Sequence, residues 1–583
     1  MELKGRIKGI SGPTVIVEGL DGAVMHTTCL VGEGQLLGEI IRIEGKTATL
    51  QVYEDTTGLR AGEPVTSFNK PLMVKLGPGL LQGTFDGVQR PLPGLAKISG
   101  SFIQKGVTLD ALDPDIKWDF EATVKKGDEL TGGDIIGTVQ ETESIVHKVM
   151  IPPGISGKVE KIESGSFTVN DDICKIQTKE GNTKAIQMAQ EWPVRYPRPF
   201  EKKLPHTSPF ITGQRIFDTL FPVAEGGAAV VPGGFGTGKT IVQHSIAMYS
   251  VTDIVVFIGC GERGNEITEI LTEFPKLKDP QTGFSLSART IIIVNTSNMP
   301  VAARESSIFT GMTIAEYYRD MGYRVALMAD SLSRWAEALR EISSRLEEMP
   351  GEEGFPTYLA SKMGSFYERA GRIDCLGQDR QGSVTLISAI SPPGGDFAEP
   401  VTQSSMRFAG ALWALDKDLA NKRHFPAVDW QRSFSLYRSS LSKWYKEEVA
   451  EDMSELIHSL ETLLQKDAKL QEIIQVIGVD ALQESDRMTL EVASIAREVF
   501  LRQSAFIPSD AFATFEKQYW MLKVIFTFLV HAEKSLTDGI YIDRILALPV
   551  KGKMMEMQYI ENENFKESAQ NIIKDIERMF GEF

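Results

Sequence analysis

Cysteine, histidine and long apolar runs are all scarce in this chain. Its 583 residues include four cysteines and seven histidines. Cys29, Cys174, Cys260 and Cys375 lie far apart with no C-x-x-C pair. They therefore indicate neither a disulfide framework nor a zinc site, and read instead as small buried apolar residues in a reducing compartment. Positive charge is also in deficit, with 62 Lys and Arg against 78 Asp and Glu and a formal charge of −16. A general nucleic-acid surface needs a basic face, so none is expected. The most apolar late stretch, Met521 to Ala532, is too short to cross a bilayer and includes Lys523. Met1-Glu2-Leu3-Lys4-Gly5-Arg6 lacks the apolar core of a signal peptide.

What remains is ordinary globular material, 42% hydrophobic and 24% charged. The length suits three or four domains of about 150 residues each. Residues 1–70 read as short strands broken by glycine, at Arg6–Ile10, Thr14–Val17, Gly38–Ile43 and Thr47–Val52, which predicts a small closed β-barrel. A glycine- and proline-rich connector over 71–110 is expected to be irregular. Residues 111–190 form a second β-rich block, whose strand–turn spacing is that of a flattened carrier-type sandwich. Val149-Met150-Ile151 offers no attachment lysine, so a structural insertion is expected.

Trp192-Pro193-Val194-Arg195-Tyr196-Pro197-Arg198-Pro199 is a linker, and from there to about 440 strand candidates alternate with helices. The strands are expected at Ala228–Val231, Asp253–Gly259, Thr290–Val294, Arg324–Ala329 and Ser383–Ala389. Helices are expected at Ala302–Asp320 and Ser331–Glu348. That alternation predicts a largely parallel sheet covered on both faces. Over 441–583, Leu456, Leu460, Leu463, Leu470 and Ile474 recur at helical spacing, as do Leu490, Ile495 and Val499, which predicts a closing helical bundle.

The chemistry concentrates in the 191–440 region. Gly233-Gly234-Phe235-Gly236-Thr237-Gly238-Lys239-Thr240 spells G-x-x-x-x-G-K-T between an apolar strand and a helix. In that setting backbone N–H groups and the helix N-terminus cradle phosphate oxygens. Lys239 reaches the β- and γ-phosphates, and the Thr240 hydroxyl suits Mg²⁺. The chain is therefore expected to bind a nucleoside triphosphate. Val325-Ala326-Leu327-Met328-Ala329-Asp330 is a buried strand delivering a carboxylate, the second Mg²⁺-organising element of such sites. Asp253–Gly259 runs into Cys260-Gly261-Glu262-Arg263-Gly264-Asn265-Glu266 at a strand's carboxyl end, where open α/β sheets place ligands. Glu262 is the candidate for polarising an attacking water, with Glu266 as the competing carboxylate and Arg263 ordering the loop. Phe425 and Phe506 read as core from spacing alone, although rings near a phosphate site can sandwich a base.

These residues carry a resemblance. Gly261–Glu266, Asn295–Glu305, Ser333–Glu341 and Ser391-Pro392-Pro393-Gly394-Gly395-Asp396 resemble the same stretches in catalytic A subunits of V-type and archaeal-type (V/A) rotary ATPases. The likeness covers nearly the whole chain, and in that family the 111–190 block is a bulge. It implies a multidomain α/β architecture of N-terminal β-barrel, β-rich bulge, RecA-like P-loop domain and C-terminal helical bundle. It also implies ATP and ADP as ligands with Mg²⁺, turnover coupled to H⁺ or Na⁺ transport, and adenine contacts from Phe425 and Phe506. Partners implied are a B subunit in an A3B3 ring supplying an arginine finger, stalk subunits, and a membrane sector reached indirectly from the cytoplasmic side. Without that arginine the chain alone is expected to hydrolyse poorly. Gly234 stands where bacterial and archaeal relatives usually carry proline, which implies a looser loop. Thr237 replaces the cysteine of eukaryotic relatives, which removes an inhibitory disulfide. Ser361–Phe366 also differs from the family pattern.

Two other readings compete. An RNA-translocating hexamer needs a basic strand groove and a barrel with exposed aromatics, neither of which is visible. A non-catalytic nucleotide-binding subunit would not need the intact set of Lys239, Glu262 and Asp330.

Overall fold

The computed structural model describes residues 2–100, 104–280, 282–478 and 481–583. The parts of the expected barrel, connector, nucleotide-binding and helical regions that fall on 1, 101–103, 281 and 479–480 lie outside the described residues. The chain divides into two compact units, residues 1–205 with 252–408, and residues 206–251 with 409–583. The expected central region, 191–440, is distributed over both.

In the first unit six strands close into a barrel. Around it run Leu3–Ser11, Thr14–Glu18, Thr47–Val52, Leu36–Glu44, Thr27–Val31 and Pro64–Pro71. Val15, Val17, Ile40, Leu50 and Val65 fill its interior. Thr27–Val31 and Pro64–Pro71 go beyond the sequence reading. Their inward positions include Thr27 and Ser67, both buried, so alternation of apolar and polar residues does not mark them.

The β-rich block forms two four-stranded sheets. One runs Glu129–Leu130, Gly157–Ile162, Cys174–Thr178, Thr183–Ile186, and the other Val146–Met150, Ile135–Gln140, Lys117–Ala122, Gly165–Thr168. Phe120 and Val149 from one sheet share a core with Val159 and Ile176 from the other.

The parallel strands of this unit neighbour one another in the order Gln381–Ile390, Arg324–Asp330, Ile254–Glu262, Thr290–Thr296 and Thr84–Phe85. Their apolar runs are buried along their length, as a sheet covered on both faces requires. The last strand comes from the connector, which is more regular than expected. Met73–Leu76 pairs with Gln190–Pro193, and Leu92–Ser99 is helical. Segments of two to eight residues carry too little periodicity to be read from sequence.

Helix Val301–Asp320 is buried at every position after Val301. It starts behind Pro300 and stops at Gly322, whose φ of 87° and N–H bond to the Arg319 carbonyl close the helix end. The helix carries buried charge. Glu305 and the barrel residue Glu39 share the Arg195 guanidinium at 2.7–3.0 Å. Glu316 accepts Nε and a second nitrogen of Arg369 at 3.0 and 2.5 Å, and the Arg198 N–H at 3.0 Å. Asp320 takes Arg198 Nε at 2.6 Å. The hydroxyl of Tyr317 lies 2.9 Å from His147 Nε2, and Tyr318 donates to Glu141, which ties the β-rich block to the same helix.

In the second unit Ala228–Pro232 pairs in parallel with Ala411–Leu412, itself antiparallel to Phe434–Ser435. Trp413 stacks on Phe217 at 4.0 Å between centroids and donates its indole N–H to the Phe221 carbonyl at 2.8 Å. Helices Met453–Ile477, Glu484–Ile495, Phe515–Thr537 and Asn562–Gly581 complete the unit, with Leu456, Leu460, Leu463 and Leu470 of the expected stripe buried. Among the described residues no helix is long and apolar enough to cross a membrane.

Removing one member of a desolvated ion cluster leaves its partners uncompensated, at a cost of about 3–5 kcal/mol. We expect Glu316→Gln to lower the urea midpoint of the first unit by a corresponding amount, because Arg369 would lose its carboxylate partner. A midpoint equal to that of the parent would show that Arg369 is compensated elsewhere.

Candidate functional site

The phosphate-loop sequence leaves strand Ala228–Pro232 and enters helix Lys239–Tyr249. Its glycines answer to different constraints. At Gly233 an added Cβ would lie 2.6 Å from Thr237 Oγ1 and 2.9 Å from Leu415 Cβ. Gly236 and Gly238 adopt φ of 80° and 89°, the left-handed region that glycine enters without penalty. Nothing lies within 4 Å of a Cβ at Gly234, so packing does not demand glycine there. Thr237 is buried and donates its hydroxyl to the Gly234 carbonyl at 2.9 Å. Lys239 Nζ donates to the carbonyls of Gly233 and Gly234 at 2.6 and 2.9 Å. Thr240 is half-buried in the first turn of the helix, and Phe235 projects from the loop, 80% exposed.

Beside the loop lies a cavity of about 190 Å³. Gly238, Ile241 and Val242 form one wall, Phe425 and Pro426 a second, and residues 502–506 a third. The Phe425 ring approaches to 3.5 Å of where a Cβ on Gly238 would sit. Phe506, 83% exposed, lines the same cavity. Apolar walls with a few polar groups fit a planar aromatic ligand. The structure thus gathers Gly238 of the phosphate loop, Phe425 and Phe506 around one space, and neither phenylalanine belongs to a core as spacing alone suggested. The adjacent His424 is buried, and burial pushes its pKa down to about 4, so it is neutral at pH 7.

Glu262, Arg263 and Asp330 belong to the other unit. Strands Ile254–Glu262 and Arg324–Asp330 run parallel with Gly259 opposite Asp330. A register shift between Cys260 and Glu262, with Gly261 at φ 72°, turns Glu262 out at the strand end. Gly261 is required there, since its Cβ would meet the Arg334 Cβ at 2.6 Å. Burial raises the Glu262 pKa to about 8. The Asp330 charge and a hydrogen bond and charge from Glu266 add to the rise, and Arg334 opposes it. The competing carboxylate Glu266 thus acts directly on the Glu262 carboxyl. Arg263 caps helix Gly264–Glu273, where its carbonyl accepts the Glu266 N–H. Sequence reasoning missed the individual importance of Arg334, which also binds Glu337 at 2.9 and 3.1 Å. Its one signal was the position four residues after Asp330 within Ser333–Glu341.

Among the described residues no group of three or more His, Cys, Asp or Glu side chains forms a metal cage. Mg²⁺ does not need one, because it keeps waters and phosphate oxygens in its shell and takes one or two protein ligands. The hydroxyl of Thr240 and the carboxylate of Asp330 are hard oxygen donors of the fitting kind. The repulsion from Asp330 and Glu266 that adds to burial in raising Glu262 is a local excess of negative charge that a divalent cation would relieve.

Four family models match the chain. Residues 213–435 match the nucleotide-binding domain of the ATP synthase alpha/beta family, and 7–69 its beta-barrel domain. Residues 109–195 match the ATP synthase alpha/beta subunit barrel-sandwich domain, and 442–546 the C-terminal domain of V and A type ATP synthase. The chain is similar to the A subunit of the A-type ATP synthase of Methanopyrus kandleri, with 54% identity over 582 residues, covering 100% of this chain and 98% of that one. It is also similar to the V-type ATP synthase alpha chain of Acetivibrio thermocellus, with 53% identity covering 99% of each. The assembled ATPase EscN of an enteropathogenic E. coli type III secretion system shares the fold, at a TM-score of 0.65 and 21% identity, covering 89% of this chain and 99% of that one. By its full-length identity to these relatives and its four matched domains, the chain belongs to the family of A and alpha subunits of A-type and V-type ATP synthases.

Proposed function

We propose that this chain turns over ATP by in-line attack of water on the γ-phosphate, with Glu262 holding that water. As a member of its family it is an ATPase/ATP synthase subunit of a multisubunit complex that couples ATP turnover to ion transport. The observation that carries the finer reading is the glycine-constrained loop 233–240, whose Gly238 lines an aromatic-walled cavity. There the loop's N–H groups and Lys239 take the phosphates, and Phe425 with Phe506 takes adenine.

Glu262 accepts the proton of the water as it attacks. With its pKa near 8, the nucleotide-free chain keeps this carboxyl largely protonated at pH 7. Bound Mg²⁺, held by Thr240 and Asp330, would supply positive charge at the phosphates and favour the ionised form. Arg263 orders the turn that carries Glu262 and Glu266. One lysine and one divalent ion cover the oxygens of a γ-phosphoryl transition state incompletely. An arginine from a B-type partner in an A3B3 ring completes the charge, with an effect of about 10³–10⁵-fold. Stalk subunits and a membrane sector, reached from the cytoplasmic face, then convert turnover into movement of H⁺ or Na⁺.

In the complex assembled with a B-type partner, we expect Glu262→Gln to bind ATP like the parent and to lose turnover by about 10²–10⁴-fold. Lys239→Ala should weaken binding and turnover together. Steady-state hydrolysis near the parent rate for Glu262→Gln would reject the role given to Glu262.

The carboxyl's elevated pKa also has a thermodynamic readout in the isolated chain without nucleotide and with EDTA. Between pH 4.5 and about 8 the native state retains a proton that the unfolded state releases, so stability falls as pH rises through that window. Glu262→Gln removes this term. Its thermal midpoint should gain on that of the parent as pH rises across the window, and a constant difference would show that Glu262 is not held protonated.

A further inference from the structure

Behind the aromatic wall of the cavity lies a polar cluster that the reaction does not use directly. Arg215, Gln503 and Asp510 are each almost wholly buried. The Arg215 guanidinium donates to Asp510 Oδ1 at 2.6 Å, to the Phe500 carbonyl at 2.8 Å and to the Arg502 carbonyl at 2.6 Å. Phe500 and Arg502 lie at the end of a helical segment, Ala496–Leu501, where carbonyls lack helical partners. One arginine therefore caps the segment from which the 502–506 loop departs.

The other carboxylate oxygen of Asp510 accepts the Ser504 N–H at 2.7 Å. Gln503 spends its whole side chain inward. Its Oε1 accepts the Arg215 N–H at 2.7 Å, and its Nε2 donates to the Gly213 and Asp510 carbonyls at 2.9 and 2.7 Å. Its backbone N–H donates to the Phe425 carbonyl at 2.8 Å, which joins the two aromatic walls. The Ser504 hydroxyl then accepts the Phe506 N–H at 3.3 Å. Ties from the cluster reach the cavity wall at the Arg502 carbonyl, the Ser504 N–H and the Phe425 carbonyl, all of them backbone atoms. Both polar atoms of the Gln503 side chain are thus engaged away from the ligand space.

We propose that Arg215, Gln503 and Asp510 are positioning residues that hold the base-binding face of the nucleotide site. Asp510 fixes Ser504 and through it Phe506, while Gln503 fixes the Phe425 segment against the same loop. This rests on the reading that Phe425 and Phe506 receive adenine. Its consequence is selective: loosening the cluster lowers affinity for a ligand that carries a base and spares one that is phosphate alone. The phosphate loop has its own restraints: the Thr237 hydroxyl on the Gly234 carbonyl, and Lys239 Nζ on the Gly233 and Gly234 carbonyls.

The test is calorimetric titration of the full-length chain with MgATP and, separately, with the Mg²⁺ complex of inorganic tripolyphosphate. Asp510→Asn keeps an acceptor for Arg215 and turns an amide toward the Ser504 N–H. We expect it to weaken MgATP binding about tenfold, in line with the loss of one base–aromatic stacking contact, and to leave tripolyphosphate within about twofold. Gln503→Met leaves the Arg215–Asp510 pair intact and should act in the same direction, which keeps the test available if Asp510→Asn does not fold. Equal weakening of both ligands would show a general structural role and overturn the proposal. Unchanged MgATP affinity in a folded variant, alongside weakened binding in Phe425→Ala, would overturn it while leaving the base face in place. Unchanged MgATP affinity in Phe425→Ala would remove the base-face reading and the proposal with it.

Discussion

Buried charge on helix Val301–Asp320 is the constraint on which the first unit depends. A helix sunk on all sides is ordinarily apolar on all sides, yet this one carries Glu305, Glu316, Arg319 and Asp320. Each ion is costly to desolvate; Arg319 pairs with Asp320 and Glu316 on the same helix, and each of the three carboxylates is also matched by an arginine from another part of the chain. Glu305 is matched by Arg195 of the linker, which also holds Glu39 of the barrel. Glu316 is matched by Arg369, and Asp320 by Arg198. Tyr317 and Tyr318 reach His147 and Glu141 of the β-rich block. Barrel, linker, sandwich and parallel strands thus share a single ionic keel. Such pairs add little net stability over apolar packing, but they penalise any arrangement in which one partner is out of register.

The carboxylates at the strand ends obey a different balance. Glu262, Glu266 and Asp330 crowd one another where strands Ile254–Glu262 and Arg324–Asp330 terminate, with Arg334 as the opposing charge. Under the proposed function, a site that receives a polyphosphate and its counter-ion gains from being mismatched beforehand, since the cation then relieves the crowding. The Glu262 carboxyl is held near the middle of the accessible pH range, where a change in nearby charge switches its ionisation.

Sequence reasoning succeeded where the constraint is local. The glycines at 233, 236 and 238 answer to a φ or to an atom within one turn of chain, so eight residues announce the phosphate loop. The long apolar strands of the α/β part were legible for the same reason. What failed to show was whatever needed distant partners. Thr84–Phe85 is a strand because Ile292 and Ile293 lie alongside it. Thr27 and Ser67 face inward because the barrel closes around them. Phe425 and Phe506 looked like core residues because ring hydrophobicity does not reveal whether a wall is open. Arg215 and Asp510 are 295 positions apart, and no periodicity connects them.

The resting posture of Lys239 changes what ligand entry means. Its ammonium is already coordinated by the Gly233 and Gly234 carbonyls, so the loop does not display a bare cation. An incoming anion must trade places with two oxygens of the protein's own main chain. The free energy of capture is then the difference between two solvated, satisfied states of one amine rather than the full attraction of opposite charges. Such an exchange tempers tight retention of the departing product as much as it tempers uptake, a useful property in a site that must empty on every cycle.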